Sequence, residues 1–371
     1  MLKVLALLLA LLDSASAQVP MTGAGLATTV ASVSLSCSYA PVTTATQNVA
    51  YTGATPSASG GTPGYTYSET GSLPPGFSLN TGTGVISGTD TGTGTYPGIQ
   101  LIVTDSASNT ANCGSSFTIT VSTAACSEYT TFIARTSGTS STEQGAYQAM
   151  ICGMVTDGTW SLLDTLYIFA TNTQTTALLN LVSTSYTGAT NGTVSFAPDQ
   201  GYTGDGSTFY IDTGWQTATG PNFTQNSASY GVYVLTSDTT FAITYMMGQD
   251  QDYYDILFQN KPSVVALISD FSSTDLAYVQ TNIQGSYLVS RTGSATTALY
   301  KNGSSVATGT GTSHALFAAD VFLFAANGQS GGLFPDQIAA AFTGAGLNST
   351  QAAAVQSRIN GYMTALGINV Y

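Results

Sequence analysis

Carboxylates in pairs, a histidine near a serine, and cysteines are the residues of this chain that could do chemistry. Asp250 and Asp252 stand two apart in Gly248-Gln249-Asp250-Gln251-Asp252-Tyr253-Tyr254-Asp255. On a strand both would point to one face, as the acid and nucleophile of a retaining glycosidase, about 5 to 5.5 Å apart, must. Carboxylates so placed would also suit calcium, the one cofactor considered for this chain. Gly, Gln and Asp disfavour a strand, which makes a solvated loop the plainer form of this segment. No Glu follows Glu143, and His314 is the single histidine, in a Gly, Thr and Ser-rich segment without a G-x-S-x-G elbow. A Ser-His-Asp arrangement therefore lacks its parts. No catalytic residue is assigned, and the chain is read as non-enzymatic. Asp205, in Gly204-Asp205-Gly206, is read as a turn residue, with calcium binding beside Asp199 as the alternative.

Binding asks for less than catalysis: exposed aromatic faces to stack on a ring, with amide and carboxylate groups to meet hydroxyls. Trp215, Tyr202, Tyr253, Tyr254 and Asn327 are the ligand-binding candidates, with Tyr210, Tyr233 and Tyr245 behind them. Each competes with a core role, because sandwich interiors are built from alternating aromatics.

Composition narrows the class. Of 371 residues 43% are hydrophobic, enough for a core, yet only 7% are charged, against about 25% in an average protein. Solubility must come from Ser, Thr, Asn, Gln and the 40 Gly, which suits extracellular β-structure. The net charge of -13 leaves no basic stripe for phosphates, so nucleic acid is excluded as a partner and an anionic membrane surface is disfavoured. Residues 1–17 carry Lys3, an apolar run from Val4 to Leu12, and Ser14-Ala15-Ser16-Ala17. This is the pattern of a secretory signal, too short to span a bilayer. The expected location is extracellular, by secretion or on a virion surface, with no transmembrane span.

Periodicity organises the rest. Residues 18–31 read as a linker or arm, 32–123 as one β-domain and 127–371 as another. In the first, Tyr65-Thr66-Tyr67, Gly98-Ile99-Gln100-Leu101 and 117–121 alternate as strands between Pro and Gly turns. In the second, 229–235, 241–247, 255–258, 263–268, 286–291 and 298–301 read as strands, and 321–325 as a late core strand. Asn302-Gly303 marks a hairpin. Tyr147, Met150, Ile151 and Met154 recur at helical spacing between 146 and 166, whereas 126–145 shows little pattern. Gln337 to Phe342 reads as a short helix, and a second runs from 350 to about 365, with Ser349 as N-cap and Gly367 as stop. Four cysteines allow three disulfide connectivities. Cys37 with Cys113 and Cys126 with Cys152 is favoured because each pair then lies within one domain.

Two stretches carry resemblances. Gly60-Gly61-Thr62-Pro63-Gly64-Tyr65, Leu73-Pro74-Pro75-Gly76-Phe77-Ser78-Leu79, Gly84-Val85-Ile86-Ser87-Gly88 and Val103-Thr104-Asp105 resemble, in order, the immunoglobulin-like, dystroglycan-type cadherin-like module. That likeness implies a spacer or adhesion unit. The run from Ser195 to Trp215, SFAPDQGYTGDGSTFYIDTGW, with the Leu299-Tyr300-Lys301-Asn302-Gly303 hairpin, resembles the concanavalin A-like, or laminin-G-like, jelly roll of phage tail and virion-surface proteins. The fold implied is all-β: an immunoglobulin-like sandwich followed by a jelly-roll sandwich with flanking helices. The function implied is structural or adhesive, with cell-surface glycan and other virion or surface proteins as partners, in an oligomer or alone. A secreted bacterial adhesin is the alternative, and a polysaccharide-degrading enzyme comes third. Enzymes of the jelly-roll fold usually employ Glu, which this domain lacks after Glu143.

Overall fold

The computed structural model describes residues 33–237, 243–249, 255–260, 265–269, 276–279, 282–328 and 331–371. The leader and the arm lie outside them. The chain is all-β with a few helices, as its alternation and turn residues require.

In the N-terminal part, alternation along Gly94–Thr104 sends Ile99, Leu101 and Val103 inside and Gln100 and Ile102 outward. That strand pairs antiparallel with Thr66–Thr70 and with Phe117–Ser122, and Phe117–Ser122 runs parallel to Thr44–Thr46. Ile86, Ile99 and Ile119 close one core and Leu101 and Val103 another. The motif residues meet in space. Asp105 accepts hydrogen bonds from the main-chain N–H groups of Thr62, Ala107 and Asn109 at 2.8, 3.0 and 2.8 Å, and from the Asn109 side chain at 2.9 Å. The Asn109 amide is the main cause of an Asp105 carboxyl held below the usual range. Gly61 has φ +60°, and a Cβ there would lie 2.5 Å from Asp105 Oδ2. The Gly-Gly and Val-x-Asp pieces are thus two loops held against each other by Asp105. Cys37 and Cys113 are joined, as favoured from the sequence.

The C-terminal part stacks two sheets and a helical layer. One sheet runs Ser195–Ala197, Gly201–Thr203, Gln337–Gly344, Ala228–Val234, Gly285–Gly293, Thr296–Lys301, Ser304–Gly309, with Leu163–Ile168 also on Gln337–Gly344. The other runs Ala189–Asn191, Tyr210–Gln216, Asp320–Leu323, Ile243–Gln249, Asp255–Asn260, Val265–Ser269, Leu276–Val279. Phe209, Trp215, Tyr230, Tyr287 and Ile338 belong to one core, and the other face of the first sheet packs on Tyr147, Met150, Val355, Ile359 and Tyr362. The hairpin expected at Asn302-Gly303 forms, both residues being left-handed with φ +51° and +77°.

The 337–342 helix is a correction. Gln337–Gly344 is a strand between three others, and all its residues are buried. Ile338 and Ala341 face one core, Ala340 and Phe342 the other. A strand covered on both faces loses its alternation, and its Ala run then carries a helix former's signature.

Helix limits also shift. Ser141–Thr156 starts earlier than the spacing shows, because Ser140 and Glu143 form a reciprocal capping box. It stops before Gly158, φ +69°, after which Trp160–Leu162 is a 3-10 turn and Leu163–Ile168 a strand. Ser127–Ile133 is a helix inside the stretch that had little pattern, and Cys126 before it is joined to Cys152. The last helix, Ser349–Ala365, is capped by Asn348 rather than Ser349 and ends ahead of Gly367.

Candidate ligand-binding face

Alternation along Tyr210–Gln216 turns Ile211, Thr213 and Trp215 into the core and Tyr210, Asp212, Gly214 and Gln216 outward. Its neighbour Asp320–Leu323 buries Val321 and Leu323 and turns Asp320 and Phe322 outward. The register sets Asp212 opposite Phe322 and Gln216 opposite Asp320. One outer face therefore collects an aromatic pair and a set of polar groups. The rings of Tyr210 and Phe322 stack, with centroids 4.6 Å apart and planes 22° apart.

The polar groups are held by short bonds. Gln216 Nε2 donates to Asp320 Oδ1 at 2.9 Å, and Asn327 Nδ2 donates to the Asp320 carbonyl at 2.8 Å. The Asn327 main-chain N–H reaches the Gly248 carbonyl at 3.2 Å. Asp212 Oδ1 accepts from the Gly214 N–H at 2.9 Å, which fixes the carboxylate, and among the described residues Oδ2 has no partner. Tyr210, Asp212, Gln216, Asp320, Phe322 and Asn327 are all half-buried: anchored, yet open on one side. An apolar ring surface edged by carboxylate and amide groups can bind a ring with an apolar face and hydroxyls at its rim.

Two sequence candidates move away from this face. Trp215 is fully buried, its indole packed edge-on to Phe223 at 5.4 Å, and so presents no surface to a ligand. The parity of the strand decides this, because Trp215 shares a side with Ile211 and Thr213. Tyr202 is likewise in the core, against Phe196, Phe169 and Phe209 at 4.9, 5.6 and 5.7 Å. Burial pushes its phenol up to about 12. Both are corrections to a stacking role. Asn327 does lie at the face. Asp250, Asp252, Tyr253 and Tyr254 fall outside the described residues. Phe322 was missed by the sequence reading, although its signal is present: it is the outward member of the alternating Val321-Phe322-Leu323.

Asp205 is a turn residue, accepting from the N–H groups of Ser207, Thr208 and Phe209 at 2.9, 2.7 and 2.9 Å and from the Thr208 hydroxyl. Burial pulls its carboxyl up, but these bonds outweigh it and hold the group well below its ordinary value.

Comparison with known families bears on the N-terminal part. The family described as "Putative Ig domain" matches residues 27–122, which meets the immunoglobulin-like expectation for that part of the chain. No curated protein matches the chain. Among solved structures, domain 4 of a GH43 extracellular arabinanase from Geobacillus stearothermophilus, in complex with arabinotriose, is 15% identical at TM-score 0.36, covering 52% of this chain and 98% of that one. The binding domain of botulinum neurotoxin serotype D is 10% identical at TM-score 0.39, covering 53% of this chain and 52% of that one. A Trypanosoma rangeli sialidase in complex with sialic acid is 9% identical at TM-score 0.36, covering 57% and 34%. The chain spans about half or less of the latter two. At these scores the likenesses carry no argument about what it binds.

Proposed function

We propose that this chain is a non-enzymatic surface adhesion protein whose C-terminal sandwich binds carbohydrate through the outer face of the 210–216 and 320–323 strands. The observation that carries the reading is the half-buried Tyr210 and Phe322 stack, edged by Asp212, Gln216, Asp320 and Asn327. The immunoglobulin-like part serves as the spacer that projects this face. Two disulfides fit an extracellular setting, and among the described residues no helix is long and apolar enough to cross a membrane. Placement on a phage tail or virion surface is supported by the resemblance of Ser195 to Trp215 and of the Leu299–Gly303 hairpin.

A glycan array probed with the chain from Gln18 onward, in calcium and again in chelator, tests the reading. Saturable binding that falls on Tyr210→Ala or Phe322→Ala is the expected result. Loss of binding in chelator would add calcium to the site. Binding unaffected by both substitutions, or none across a broad array, would overturn the proposal.

A further inference from the structure

A cavity lies on the helical side of the C-terminal part, and none of its lining residues belongs to the face just described. A cavity of about 270 Å³ opens between the Ser127–Ile133 helix and residues 181–184, lined by Glu128, Thr131, Arg135, Trp160, Leu181 and Ser183 among others. Local structure explains how its walls are held. Arg135 Nη1 donates to the Ser183 carbonyl at 3.1 Å, and Nη2 to the Asn180 and Leu181 carbonyls at 2.8 and 3.3 Å. Its guanidinium also sits 5.5 Å from the centre of the Phe132 ring. One side chain thus pins the 180–183 wall to the helix, and the disulfide from Cys126 to Cys152 ties the same helix to its neighbour.

The lining has a definite chemistry. Trp160 is only 8% exposed, and with Leu181 it supplies apolar surface. Glu128 Oε2 accepts from the Ser127 hydroxyl at 2.9 Å, leaving Oε1 without a partner among the described residues. The Arg135 bonds go to main-chain carbonyls, and among the described residues no carboxylate pairs with its charge. An anionic ligand would meet Glu128 and a cationic one Arg135, whereas a neutral ring bearing hydroxyls finds acceptors, donors and the apolar surface that Trp160 and Leu181 leave at the wall together. We infer that this cavity is a subsite for a neutral saccharide unit, with the ring against Trp160 and hydroxyls bonded to Glu128 and Thr131. The inference stands apart from the Tyr210 face, because no residue is shared.

The test uses tryptophan emission from the chain from Gln18 onward, since its two tryptophans are Trp160 and the fully buried Trp215. The probes are methyl β-galactopyranoside, methyl α-mannopyranoside, methyl α-glucopyranoside and N-acetylglucosamine, with glucuronate and glucosamine as charged counterparts. The expected result is a saturable emission change with at least one neutral probe and weaker or no response to the charged pair. That response should be lost in Trp160→Phe, weakened about tenfold in Glu128→Ala as one good polar contact is removed, and kept in Tyr210→Ala. Glu128→Ala alters a partly exposed side chain, so a variant that still folds is in hand even if Trp160→Phe does not. No saturable change with any neutral probe, equal affinity in Glu128→Ala, or preference for a charged probe would overturn the assignment. Because Tyr210→Ala leaves this readout intact, its failure is distinguishable from failure of the outer face.

Discussion

Gly231 and Phe342 lie opposite each other on neighbouring antiparallel strands, and the ring of Phe342 covers the bare glycine. A Cβ at Gly231 would lie 2.2 Å from two ring carbons of Phe342, which no side chain tolerates without movement. Gly231→Ala should therefore cost about 1–3 kcal/mol by overpacking. Phe342 is 1% exposed, and Phe342→Ala should cost about 3–5 kcal/mol in lost burial and cavity. In the double variant the new methyl enters the space the ring has left. The pair should then cost less than the sum of the single changes, by about 0.5–3 kcal/mol of coupling. Denaturant unfolding followed by tryptophan emission reads this directly, since Trp160 and Trp215 both lie in the C-terminal part. If Gln337–Gly344 were a helix, as its alanines suggest, Phe342 would have no fixed register with Gly231. Strict additivity, or a double variant worse than the sum, would refute the packing described here.

Three further outcomes are expected. Replacing Cys37 and Cys113 with Ser opens a loop of sequence separation 76, and chain entropy puts the loss at about 4.5 kcal/mol; a far-UV melt in which the N-terminal transition stays in place would contradict it. Trp215→Ala should destabilise the sandwich by about 3–5 kcal/mol as a buried aromatic is removed, whereas Tyr210→Ala, on the outer face, should leave the melting temperature nearly unchanged; similar melts for the two would reverse their assignments to core and surface. The Asp205 carboxylate is held below its ordinary value, so its contribution is complete above about pH 4 and fades as the pH falls toward its lower folded value. The stability gap between the native chain and Asp205→Asn should accordingly be widest near neutrality and close in acid; a gap that widens in acid would show the sign to be wrong.

Particular residues show where the sequence was readable. Alternating runs such as 98–101 and 117–121, the Asn302-Gly303 turn and the disulfide partners are legible, because each is set by local geometry or by placement within one domain. The central strand was not, because burial on both faces erases the alternation on which strand reading depends. Helix starts were displaced where a capping residue lies outside the apolar stripe, as with Ser140 and Asn348. The site was half legible. An aromatic-rich surface could be anticipated, but whether Trp215 or Tyr210 faced outward depended on strand parity, and a tryptophan is the tempting choice. Phe322 carries the same outward parity, but Val-Phe-Leu-Phe looks uniformly apolar and conceals it.

Isothermal titration of the strongest array glycan into the native chain and into Tyr210→Ala tests the central claim most directly. The account predicts a loss of at least about tenfold in affinity, the order of one stacking contact, with the melting temperature retained. Unchanged affinity in Tyr210→Ala would contradict the assignment of the outer face as the site.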